Sequence, residues 1–208
     1  MTNNDVIIPR GIIVEVFGST GIGKTDLVLS WIRDLQEKNL CVFVDTDYKF
    51  TVDQAKRHSL GDNVIILQNN IAEDVFDTIT KYVDNGADFV VLDSTASLIP
   101  AAFVTAPVEE ISYKDKAKAL RFGLQCIMPS LTRNNATLIL VSHERFSPEG
   151  ISYTTGGKAA SLYAALRLKV FADGNIAIVK NRTDPVLTLL QKEEISYDPI
   201  GTRQRLLP

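Results

Sequence analysis

The stretch that decides the fold runs Gly11-Ile12-Ile13-Val14-Glu15-Val16-Phe17-Gly18-Ser19-Thr20-Gly21-Ile22-Gly23-Lys24-Thr25. Its first half is a mostly apolar run suited to a buried strand. Its second half completes the pattern G-x-x-x-x-G-K-[ST], from Gly18 through Ser19, Thr20, Gly21, Ile22 and Gly23 to Lys24 and Thr25. Glycines let the backbone curl so that successive N–H groups point at a chain of phosphates. A lysine here bridges the β- and γ-phosphates of a nucleoside triphosphate, and the hydroxyl after it ligates Mg²⁺. Leu27, Val28, Trp31, Ile32 and Leu35 then recur at helical spacing, so residues 24–38 are expected to form a helix whose positive end faces the anion.

Outward from this loop, strand and helix signals alternate. Short apolar strands are expected at residues 41–44, 64–67, 89–92 and 137–141. A short helix is expected at 51–58, and Asn70 with Glu73 resembles the N-cap of a second, closed by Gly86. A long helix spans about 113–133, with Pro129 expected to kink or restart it. Residues 95–112 and 143–157 read as loops, and 158–165 as a helix. The last third changes character: strands at 167–171, 175–180 and 186–190 are separated by Asp173-Gly174 and Thr183-Asp184-Pro185, which are hairpin signals. The expected fold class is therefore α/β, a mostly parallel central sheet flanked by helices with an antiparallel C-terminal extension.

The 208 residues suffice for one domain with a sizeable core. No apolar run reaches the roughly 18 residues of a membrane span, and residues 1–10 lack a signal pattern, so a cytoplasmic protein without membrane contact is expected. The net charge of −3 supplies no overall basic field, so any nucleic-acid contact must come from local loops. Cys41 and Cys126 sit in apolar stretches and are expected to be buried thiols.

Asp93 follows the apolar run Phe89-Val90-Val91-Leu92, the position from which an acid holds Mg²⁺ with Thr25. Ser94 comes next, so a group that orients water must lie elsewhere. Asp45 and Asp47, at the end of Cys41-Val42-Phe43-Val44, are the candidates, with Asp47 better placed. His143 and Glu144, just past the strand at 137–141, form a polar pair suited to sensing a γ-phosphate.

Together these residues resemble the ATPase core of the RecA recombinase family, from about residue 8 to 198. The resemblance rests on the segment Arg10 to Gly18, on Cys41-Val42-Phe43-Val44-Asp45-Thr46-Asp47, on Val90-Val91-Leu92-Asp93-Ser94, on Thr154-Thr155-Gly156-Gly157-Lys158-Ala159 with Tyr163-Ala164-Ala165-Leu166-Arg167-Leu168, and on Val179-Lys180-Asn181-Arg182. It implies hydrolysis of ATP with Mg²⁺ at a subunit interface, self-association or a RecA-like partner, and coupling to single-stranded DNA. Asp47 takes the place of the family's catalytic glutamate, and Glu144 that of a glutamine linking ATP to the DNA loop. Lys180 and Arg182 would reach a neighbour's γ-phosphate. The two DNA loops would lie within residues 100–112 and 145–157, where Gly156 and Gly157 offer backbone N–H groups, Arg145 and Lys158 charge, and Phe146 and Tyr153 stacking surfaces.

The departures carry expectations of their own. Asp47 is one methylene shorter than glutamate, which implies slow turnover. Gln54 stands where an aromatic often stacks on adenine. Residues 1–208 read as a single core domain, without the family's N-terminal oligomerisation helix or C-terminal domain. Sparse basic residues leave a second reading open, a regulatory ATPase that switches a protein partner such as a recombinase. A hexameric helicase-type relative is disfavoured by the Thr154–Ala159 match.

Overall fold

The computed structural model describes residues 8–106, 113–155, 157–183 and 195–196. The chain forms β1 (Ile13–Gly18), α1 (Lys24–Leu35), β2 (Cys41–Asp45), α2 (Val52–Arg57), β3 (Val64–Gln68), α3 (Ala72–Asp84) and β4 (Phe89–Asp93). Single 3-10 turns at Thr95–Ser97 and Ala101–Phe103 follow. Then come α4 (Tyr113–Asn134), β5 (Thr137–Phe146), β6 (Ser152–Thr154), α5 (Ala159–Tyr163), β7 (Leu166–Val170), β8 (Asn175–Asn181) and β9 (Ile195–Ser196).

The sheet order is β3-β2-β4-β5-β1-β7-β8-β9. From β3 to β7 every neighbour is parallel, whereas β7, β8 and β9 pair antiparallel. The expected fold class is thus the one observed. The central strands read as unbroken apolar runs because helices cover both faces. On one face Val42, Val90 and Leu138 pack with Phe76 and Ile79 of α3 and Leu124 and Leu131 of α4. On the other, Val14, Val16, Phe43 and Val91 pack with Leu27, Val28, Trp31 and Ile32 of α1. α3 and α4 meet closely at Gly123, where a Cβ would overlap the Phe76 ring.

Several expectations are corrected. Residues 143–157 are not a plain loop. β5 runs five residues past Val141, and its end pairs with β6 in an antiparallel hairpin, Glu144 opposite Thr154, Arg145 opposite Tyr153 and Phe146 opposite Ser152. Ser142 to Arg145 is an unbroken polar run, so it lacks the apolar alternation that marks a strand. Asn70 does not cap α3. Ile71 is the N-cap, its N–H donates to Asn69 Oδ1 at 2.9 Å, and Glu73 instead accepts from the Ala101 N–H at 2.7 Å. α4 does not restart at Pro129. Both Pro129 and Gln125, the residue whose carbonyl the proline cannot bond, are exposed, so the missing bond falls on the outer side of the helix. Cys41 is buried as expected and Cys126 is exposed, on the outer side of α4. The strand expected at 186–190 lies outside the described residues.

Candidate functional site

The phosphate loop joins β1 to α1 at the carboxyl edge of the sheet. Gly18 cannot carry a side chain, because its Cβ would overlap the Val170 carbonyl of the neighbouring strand. Gly23 takes φ +86 as the N-cap of α1, a left-handed turn that favours glycine. Lys24 opens the helix, is buried, and lies back across the loop, its Nζ donating to Gly18 O at 3.0 Å and Ser19 O at 2.6 Å. Burial holds its ammonium below the usual lysine range, against the opposing pull of Asp93 and Glu144.

Thr25 Oγ1 donates to Asp93 Oδ2 at 2.6 Å, so the two expected metal ligands meet. A hydroxyl and a carboxylate are hard oxygen donors suited to Mg²⁺, which keeps several waters and takes further ligands from phosphates. Among the described residues no group of three His, Cys, Asp or Glu side chains could hold a metal by itself. The Thr25–Asp93 donor pair fits a hard divalent cation whose remaining ligands come from outside the chain. Asp93 is pushed up to about 6, chiefly by burial, with the Asp47 and Asp45 charges adding and the Thr25 hydrogen bond and Lys24 opposing. With the native carboxyl still protonated while the unfolded one is ionised, stability falls as pH rises from about 4 to about 6. Asp93→Asn is expected to flatten that segment of a metal-free pH–stability curve.

The two acids after β2 have different tasks. Asp45 ties the following turn, accepting from Asp47 N–H at 3.1 Å, Phe50 N–H at 2.7 Å and Gln68 Nε2 at 3.0 Å. Asp47 accepts from Ser94 Oγ at 3.2 Å, Lys49 Nζ at 3.2 Å and the Ser97 hydroxyl. Burial pushes the Asp47 carboxyl up, but hydrogen bonds from Ser97, Lys49 and Ser94 outweigh it and leave it below the usual range. Thr46 stitches the ends of β2 and β4: its N–H donates to Asp93 O, its hydroxyl to Ser94 O, and it accepts from Ser94 N–H, each at 2.7 Å. A cavity of about 140 Å³ lies here, bordered by Thr25, Asp45, Asp47, Phe50, Gln54 and Asp93. Gln54 closes a capping box with Thr51 at the start of α2. Thr46, Ser94 and Ser97 were given no role from the sequence. Their only signal is a short polar residue just after each of two apolar runs, and which runs are neighbours is a tertiary fact.

The polar pair past Val141 splits. His143 sits opposite Gly18 in register, and its Nδ1 is buried with no partner. Burial lowers the imidazole's proton affinity, the Lys24 charge lowers it further, and Asp47 opposes. Glu144 is engaged elsewhere: Oε1 accepts from Ser152 Oγ at 2.5 Å and from Lys169 Nζ at 2.7 Å. Thr155 ties this edge together, accepting from His143 N–H at 3.2 Å through Oγ1 and donating its N–H to His143 O at 2.9 Å.

Lys180 caps α5 within its own chain, its Nζ donating to Ser161 O at 2.7 Å and Ala164 O at 2.5 Å. Arg182 is exposed. Arg145 and Tyr153 face each other across the hairpin, and Phe146, Tyr153 and Lys158 are exposed. Gly157 turns the chain at φ +70, and Gly156 and residues 107–112 of the first expected loop lie outside the described residues. Among the ion pairs not read from the sequence, Glu15, fully buried in β1, meets Arg167 Nε of β7 at 2.5 Å, and that guanidinium lies 4.5 Å from the centre of the Phe17 ring.

The profile of the RecA N-terminal domain matches residues 6–189. The chain belongs to the RecA family. Among its RecA relatives, Protein RecA of Syntrophus aciditrophicus (strain SB) is 31% identical over 179 residues, 81% of this chain and 51% of the relative. Protein RecA of Mycoplasmopsis pulmonis (strain UAB CTIP) is 29% identical over 210 residues, 90% of this chain and 61% of the relative. Protein RecA of Rickettsia canadensis (strain McKiel) is 28% identical over 201 residues, 86% and 58% respectively. This RecA-family chain thus spans between about half and three-fifths of the relatives it matches. No helix among its described residues is long and apolar enough to cross a membrane.

Proposed function

We infer that this RecA-family chain is a Mg²⁺-dependent ATPase that binds single-stranded DNA in recombination or repair and hydrolyses ATP where two subunits meet. The observation that carries the reading is continuity. The Lys24–Thr25–Asp93 cluster, the unpartnered His143 nitrogen and the hairpin with exposed Arg145, Phe146 and Tyr153 share one edge of the sheet. The loop's backbone N–H groups receive the phosphates, and Lys24 transfers its hydrogen bonds from the Gly18 and Ser19 carbonyls to the β- and γ-phosphates. Thr25 and Asp93 would hold Mg²⁺, which when bound would supply neutralisation of phosphate charge. Asp47, oriented by Ser94 and Ser97, positions water. His143, rather than Glu144, is the side chain with a free nitrogen to meet the γ-phosphate, and Thr155 connects its backbone to the returning end of the hairpin. Arg182 is the freer of the two basic residues offered to a neighbouring subunit, since Lys180 must first leave α5.

The test is ATP hydrolysis with and without a poly-dT oligonucleotide at two salt concentrations. Stimulation of about tenfold at low salt is expected, fading at high salt because phosphate contacts release counterions. In His143→Ala the stimulation is expected to vanish. Hydrolysis indifferent to DNA at low salt would overturn the reading and favour a switch acting on a protein partner.

A further inference from the structure

We propose that Lys169 is a positioning residue for the hairpin: through Glu144 it holds β5 and β6 folded against β7 in the nucleotide-free chain. The inference rests on the proposed function only for what the hairpin touches.

β5 outruns the parallel sheet. Its pairing with β4 ends at Val141 and with β1 at His143, so residues 144–146 have only β6 beside them among the described strands. β6 is three residues long, and a two-stranded ribbon of that size is marginal in water. Something besides its ladder must hold it. Glu144 does so with one oxygen, which accepts from Ser152 on β6 and from Lys169 on β7. The Glu144 side chain is 3% exposed and that of Lys169 26%, so the pair is largely shielded from water and from salt screening.

Lys169 stands beside Phe17 of β1 in register, one strand beyond β1, and reaches back across it to β5. The space so bridged is a cleft of about 230 Å³ lined by Phe17, Glu144, Ser152, Tyr153, Arg167 and Lys169. Without Lys169 the buried Glu144 carboxylate would keep only the Ser152 hydroxyl and would be driven toward solvent, opening the hairpin with it. Arg145, Phe146 and Tyr153 ride on this ribbon, so Lys169 pre-orders the surface they present, and part of DNA binding becomes independent of nucleotide.

Amide hydrogen exchange on the full nucleotide-free chain tests the proposal. In Lys169→Met the amides of residues 144–154 are expected to exchange about tenfold faster, while those of β1 and β4 stay within about twofold. The reversed pair, Glu144→Lys with Lys169→Glu, is expected to recover most of the protection. Unchanged hairpin exchange in Lys169→Met overturns the proposal, as does an equal acceleration in β1 and β4, which would mean global destabilisation. In a second measurement, fluorescence anisotropy with poly-dT and no nucleotide, Lys169→Met is expected to bind about tenfold more weakly and to regain affinity with a non-hydrolysable ATP analogue and Mg²⁺. Unaltered affinity would refute the pre-ordering of the DNA surface. A parent protein with no affinity for poly-dT would sink the DNA-binding function, while the exchange result still decides the role of Lys169.

Discussion

ATP turnover by a Lys24→Ala variant is expected to fall by about a hundred- to a thousandfold, with no loss of thermal stability. The two halves of this expectation have one cause. Lys24 is buried, and burial opposes its charge, so the folded protein bears an unfavourable desolvated ammonium that two loop carbonyls only partly offset. Alanine removes that burden, and the exposed Ser19 carbonyl region is open to water. What alanine cannot do is meet the charge that builds on the γ-phosphate and the bridging oxygen as the bond to phosphorus breaks. Steady-state hydrolysis and melting curves with and without ATP give the check. The parent's melting temperature should rise with Mg²⁺ and ATP by mass action, and the variant's should not. A variant that melts well below the parent would mean that Lys24 serves chiefly to brace the loop.

Arg167→Ala is expected to destabilise the fold by about 3–5 kcal/mol and to lower the melting temperature by roughly 10 °C or more. Glu15 has no exposed surface, Arg167 is its ion-pair partner, and Glu15 Oε1 is already without a hydrogen bond. Alanine would leave the buried Glu15 carboxylate without its cation and the Phe17 ring without the guanidinium over it. The compensated variant Glu15→Val with Arg167→Leu is expected to recover most of the loss, since a buried ion pair replaced by apolar residues of similar size is often neutral or better. Urea denaturation of the three proteins separates the cases. A loss under about 0.5 kcal/mol in Arg167→Ala, the range of ordinary surface changes, would show that the pair does not hold β1 to β7.

The parallel half of the fold was legible because its signals are local. Apolar runs such as Val90-Val91-Leu92 carry their own instructions, and the parallel sheet came out as read. The hairpin was not legible, because Ser142 to Arg145 is an unbroken polar run with no alternation, in a stretch that proline and glycines mark as loop. Glu15 is the one charged residue of the apolar run 11–17, and its partner lies 152 positions away. Asn70 satisfied a capping pattern that the backbone of Ile71 pre-empted.

The difference has a physical root. Backbone conformation near a glycine, and the burial of a run of β-branched residues, depend on a few neighbours in the chain, so residues 11–35 by themselves specify a strand, a glycine-rich turn and a helix. Where a charged side chain goes depends on which strands end up adjacent. Glu144 stood in sequence as a candidate partner for phosphate beside His143. Only the placement of β7 next to β1 brought Lys169 within 2.7 Å of it, drawing Glu144 into the hairpin's support and leaving the buried imidazole nitrogen of His143 beside the loop.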